Sequence, residues 1–75
     1  MLYVAGFIYD DNHGEMGEWI IHRKQFDWLI EALEEYMPKR RNSQVMWATM
    51  ADENTDITQK VIQTLKIREK INGTT

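Results

Sequence analysis

Leu2 to Tyr9 reads LYVAGFIY, a run with no charged residue and rich in aromatic and β-branched side chains. If it alternates as a strand, Leu2, Val4, Gly6 and Ile8 line one face and Tyr3, Ala5, Phe7 and Tyr9 the other, and both sets are apolar. A strand that is apolar on both faces belongs in the middle of a sheet, or needs its second face covered. Asp10 to Gly17 (DDNHGEMG) then supplies the Asp, Asn and Gly that turns require. Trp19, Ile20 and Ile21 form a second strand over Gly17 to His22. The two strands are expected to make a hairpin with a loop longer than two residues.

Near Arg23 the period changes. Phe26, Leu29, Ile30, Leu33 and Met37 fall on one stripe of a helix, with Asp27, Glu31, Glu34 and Glu35 on the other side. Trp28 lies off the stripe. No Ser, Thr, Asp or Asn cap opens this helix, and Pro38 ends it, because proline disfavours helical backbone at the residue before it. Lys39 to Ser43 is a polar loop. In Gln44 to Met50, Val45, Trp47 and Thr49 alternate with Met46, Ala48 and Met50, which predicts a third strand. A long helical segment follows. Asp52, Asn54 and Thr55 are its candidate caps, and Ile57, Val61, Leu65 and Arg68 lie along one face, widened by Ile62, Ile67 and Ile71. Asn72 and Gly73 suit its stop.

The predicted order is β-β-α-β-α, an α+β fold forming a single domain over residues 1–75. Placing the most apolar strand at the centre gives a three-stranded, mainly antiparallel sheet in the order 2-1-3. Both helices would pack on one face, leaving the other open. A chain of this length buries only about 60% of its unfolded surface, so any partner that binds the folded state alone would help stabilise it.

Charge sharpens the picture. Residues 1–37 hold eight acids against Arg23 and Lys24, a net of −6, whereas residues 38–75 hold seven bases against four acids, a net of +3. A chain polarised in this way presents complementary patches to a partner or to itself. The absence of cysteine removes disulfides and thiolate metal sites and agrees with a reducing compartment. The apolar start has no basic region before it and acids directly after it, so it does not read as a signal peptide. It is also far below the ~20 residues needed to span a bilayer. A cytoplasmic location, away from membranes, is expected.

Candidate chemistry is sparse. Asp10-x-Asn12 opens like a calcium-binding EF-hand loop, but the sixth and twelfth positions hold Glu15 and Ile21 where that loop needs Gly and Glu. His13 and His22 stand in no zinc pattern, and no metal site is expected. Ser43 is the only serine and has no histidine near it in sequence. Glu31 and Glu35 share a helix face, as is common on solvated helices. No glycine spacing fits a phosphate or dinucleotide cradle. Neither catalysis nor a cofactor is expected.

Binding residues are plentiful. Three Trp, three Tyr, two Phe and five Met are a heavy load for this length, and Trp, Tyr, Met and Arg are enriched at interface cores. The expectation is a small adaptor- or inhibitor-like module that binds another protein, or itself as a homodimer, through an exposed aromatic sheet face. Tyr3, Phe7, Tyr9, Trp19, Trp28 and Trp47 are the candidate anchors, and Arg40 and Arg41 the rim contacts. Either Tyr3, Phe7 and Tyr9 or Leu2, Val4 and Ile8 should face outward. The alternative is a nucleic-acid module that clamps phosphates with Lys39, Arg40 and Arg41 and stacks a base on Trp47. The negative net charge weighs against it.

Overall fold

A computed structural model of the chain describes residues 1–10, 16–37 and 43–72. Strand β1 (Tyr3–Asp10) pairs antiparallel with β2 (Met16–Arg23) on one side and with β3 (Gln44–Met50) on the other. Helix α1 (Phe26–Tyr36) carries the chain from β2 to β3, and helix α2 (Thr58–Asn72) closes the fold.

The sheet has four strands, not the three expected from the pattern. Its order is β2-β1-β3-β4, where β4 (Thr55–Asp56) pairs antiparallel with Met50 and Thr49. Residues 51–56, expected to begin the second helix, therefore do something else. Ala51–Glu53 form one 3₁₀ turn, and Asn54 adopts left-handed backbone at φ 51°. Asparagine tolerates that region, and the reversal it makes returns the chain along β3. A two-residue strand carries almost no periodic signal, which is why the pattern does not reveal it.

Helix α2 begins only after its first residues are tied to the sheet. Ile57 N donates to Ala48 O at 2.8 Å, and the Ala48 amide donates to Thr58 Oγ1 at 3.0 Å. The Thr58 hydroxyl proton goes to Asp56 Oδ1 at 2.6 Å. Ala48 thus has both backbone groups satisfied at a point where its side chain is fully buried.

Both helices cover the same face of the sheet. Ala5, Phe7, Ile21 and Ala48 meet Leu29, Ile30, Ala32 and Leu33 of α1 and Val61 of α2, with Ile57 closing the cluster. The α1 stripe points inward because its apolar positions recur at three and four residues. Phe26 packs edge-to-face on Tyr3, with ring centroids 5.8 Å apart. Arg68 of α2 grips Glu34 of α1 through two contacts, Nη2–Oε1 at 2.9 Å and Nε–Oε2 at 3.0 Å.

The β1–β3 ladder contains one irregularity that decides what lies outside. Gly6 pairs with Trp47, yet Phe7 pairs with Val45, so Met46 is an extra residue in β3. Strict alternation would put Val45 and Trp47 on one face. The bulge separates them: Val45 packs on the core with Phe7, and Trp47 crosses Gly6 on the opposite side.

Candidate functional site

Three strands build the face turned away from the helices from alternate residues. Ala5 and Phe7 point to the helices, so Val4, Gly6 and Ile8 of β1 point away. Ile21 and Ala48 fix the phase of the flanking strands in the same way, turning Glu18, Ile20 and His22 of β2 outward with Trp47 and Thr49 of β3. Cross-strand pairing arranges these residues in rows. The middle row is Ile20–Gly6–Trp47, with Ile8 between Glu18 and Gln44 on one side and Val4 between His22 and Thr49 on the other.

The centre is therefore apolar (Val4, Ile8, Ile20, Trp47) and the perimeter polar (Glu18, His22, Gln44, Thr49). Thr49 pairs in turn with Asp56. Ile20 is 61% exposed and Trp47 38%, whereas Val4 is buried at 8% and Ile8 half-buried. Gly6 permits the flat arrangement: a Cβ there would lie 2.6 Å from the Trp47 Nε1 atom and 2.8 Å from Cε2. The indole thus rests on bare backbone, at a distance no side chain would allow.

Asp56 sets the charge at this corner. Hydrogen bonds from the Thr58 hydroxyl and then from the Thr58 amide hold its carboxyl below the usual carboxylate range. With Glu18, it makes two acids in these outward rows. Among the described residues no lysine or arginine belongs to these rows.

A second exposed surface runs along the outer side of β2 and the neighbouring flank of α1. Nine large hydrophobic residues are exposed among those described, and five of them (Met16, Trp19, Ile20, Trp28 and Tyr36) belong to β2 and α1. One cleft of about 350 Å³ is lined by Phe7, Trp19, Ile21, His22, Arg23 and Tyr36 among others. A second, of about 300 Å³, is lined by Arg23, Trp28, Glu31, Ala32 and Glu35.

The candidate anchors from sequence divide between these regions and the core. Phe7 is 2% exposed and sits inside. Tyr3 and Tyr9 lie on the same helix-facing side and pack against the cluster, Tyr9 reaching over Gly17. The outward set of β1 is thus Val4 and Ile8, not the aromatic set. Trp19 and Trp28 stand exposed on the β2–α1 rim, and Trp47 stands on the open face. Lys39, Arg40 and Arg41 lie outside the described residues, as do Asp11, Asn12, His13 and Glu15 of the first loop. The sequence pattern does not single out Ile20 or Tyr36 as surface anchors. Ile20 is adjacent to the buried Ile21, and only the strand's phase separates them.

Among the described residues no three His, Asp or Glu side chains converge on a point where they could hold a metal ion. No helix among them is long and apolar enough to cross a membrane. Comparison with family models, with curated proteins and with solved structures returns no match.

Proposed function

We propose that this domain is a protein-binding module, adaptor- or inhibitor-like, whose contact surface is the open face of the sheet. The observation that carries this reading is the pair of exposed apolar side chains Ile20 and Trp47 on either side of Gly6, with the half-buried Ile8 beside them and polar residues around them. An apolar centre inside a polar rim is the usual anatomy of a specific protein interface, and tryptophan is its commonest energetic anchor. The cysteine-free composition suits a cytoplasmic setting.

The nucleic-acid alternative draws its support from the outward indole of Trp47, a platform on which a base could stack. Glu18 and Asp56 on the same side oppose a polyanion, so protein binding is the better reading. Quantitative capture from a native lysate tests it with three baits: wild type, Trp47→Lys on the face, and Ile67→Lys on α2, where Ile67 is 59% exposed. One protein retained by wild type and by Ile67→Lys but lost with Trp47→Lys is the expected result. Equal capture by all three baits removes the face from the proposal. A low-salt gel shift abolished by Trp47→Lys would replace it with the nucleic-acid reading.

A further inference from the structure

We infer that a second copy of this chain pairs with the first through the outer edge of β2, antiparallel and centred on Ile20, so that the two sheets join into one. This goes beyond the reading above, because it uses the backbone of an edge and does not require the open face to bind anything.

Three observations carry it. The first is that the two ends of the sheet differ. At one end β4 is two residues long and β3 bears a bulge, both devices that blunt an edge. At the other end β2 is an eight-residue strand in unbroken register with β1, from Tyr3↔Arg23 to Asp10↔Met16. It contains no proline, lysine or bulge. No strand among the described residues pairs with its outer side, and the Arg23 side chain, whose Nη1 donates to the His22 carbonyl at 2.7 Å in a solvent-exposed contact, would have to swing aside. A long, regular, unpaired edge is a template for another strand.

The second is its side chains. Met16, Trp19 and Ile20 are 66%, 55% and 61% exposed. Trp19 lies on the helix side and Ile20 on the open side, so both faces of this edge are apolar. A joined strand would shelter both.

The third is self-complementarity, which chooses a second copy over a foreign strand. Residues directly opposite each other share a face, so a two-fold axis must pass through one β2 residue and its own copy. An axis at Glu18 sets two like charges against each other. An axis at Trp19 sets Glu18 against Ile20, and one at Ile21 leaves only Trp19 to Arg23 overlapping. With the axis at Ile20, Gly17 to Arg23 all overlap. Ile20 then meets Ile20, Trp19 meets Ile21 of the second copy, and each Glu18 carboxylate faces a His22 imidazole that can donate to it. Arg23 lines the same cleft as Glu31 and Glu35, so the acids of α1 do not reach this rim uncompensated. The contact is near the lower bound for specific interfaces, roughly 1,000 Å² counting both copies. A dissociation constant of about 10 μM is expected.

Sedimentation equilibrium of the full chain from about 1 to 300 μM, a range bracketing that constant, reads the association. Hydrogen exchange of the β2 amides at both extremes locates it. Wild type is expected to pass from monomer to dimer as β2 gains protection. The His22→Glu variant sets a second carboxylate against Glu18 at both ends of the pair and should weaken the dimer by roughly tenfold or more. The double variant Glu18→Arg/His22→Glu restores opposite charges and should recover wild-type association, a rescue that a merely misfolded single variant would not show. Trp47→Lys should leave the dimer intact. A monomer throughout the range overturns the inference. So does a dimer lost with Trp47→Lys but indifferent to His22→Glu, which would mean copies stacked face to face. A dimer that the double variant fails to restore overturns the register. None of these results depends on whether the open face captures another protein.

Discussion

Replacing Gly6 by alanine tests the geometry on which the open face depends. The new Cβ would stand 2.6, 2.8 and 3.1 Å from Nε1, Cε2 and Cζ2 of Trp47, so the indole has to leave. It has room to do so, since no helix or strand among the described residues packs on that side, and the result is loss of contact without a trapped clash. A tryptophan has about 150–250 Å² to bury. At 38% exposure Trp47 has well over half of that covered. Displacing the ring forfeits roughly 90–155 Å², which is ~2.3–3.9 kcal/mol at ~25 cal/mol/Å². Alanine returns about 0.5–1 kcal/mol through its lower unfolded-state entropy. The net destabilisation is about 1.5–3 kcal/mol, or a fall in Tm of roughly 6–24 °C for a domain of this size. Thermal unfolding followed by far-UV circular dichroism measures it. A double-mutant cycle isolates the cause: in a Trp47→Ala background the same Gly6→Ala change should be neutral or slightly stabilising. If Gly6→Ala melts at or above the wild-type temperature, or costs the same with and without Trp47, the indole does not rest on Gly6 and the flat platform is wrong.

Other expectations follow from the ties between elements. Thr58→Val removes the acceptor of the buried Ala48 amide and should lower stability by about 1–3 kcal/mol in urea titrations; an unchanged midpoint would show that water replaces the hydroxyl. Glu34→Gln breaks the two-contact pair with Arg68, whose side chains are 22% and 42% exposed. Its cost should be at most about 1 kcal/mol and should shrink in 1 M salt. Asp56 has a depressed folded-state pKa, so its contribution is complete above the unfolded value and drains away as the pH falls through the folded one. Asp56→Asn should therefore melt below wild type at neutral pH, with the gap closing in the acid range below about pH 4. A gap of constant size from pH 7 to pH 2 would contradict the assignment.

The chain's own pattern determined a good deal. The inward stripe of α1 is legible because Leu29, Ile30 and Leu33 recur at helical spacing, and periodicity is a local property that needs no neighbour to be read. The uncharged run from Leu2 to Tyr9 marks the strand that ends up between two others, flanked by neighbouring side chains on both of its edges. The tryptophan off the helical stripe, Trp28, stands exposed for the same reason of phase.

Tertiary structure decided the rest. Whether Val4 and Ile8 or Tyr3 and Phe7 face outward depends on which side of the sheet receives the helices, and alternation alone is symmetric between the two. The bulge at Met46 is invisible to a two-residue period, yet it sends Val45 into the core and Trp47 to the surface. β4 exists only because Asn54 turns the chain back onto β3, a pairing between segments too short to announce themselves. Spacing along a chain records which residues share a side; which side meets solvent is settled only when separate elements pack together.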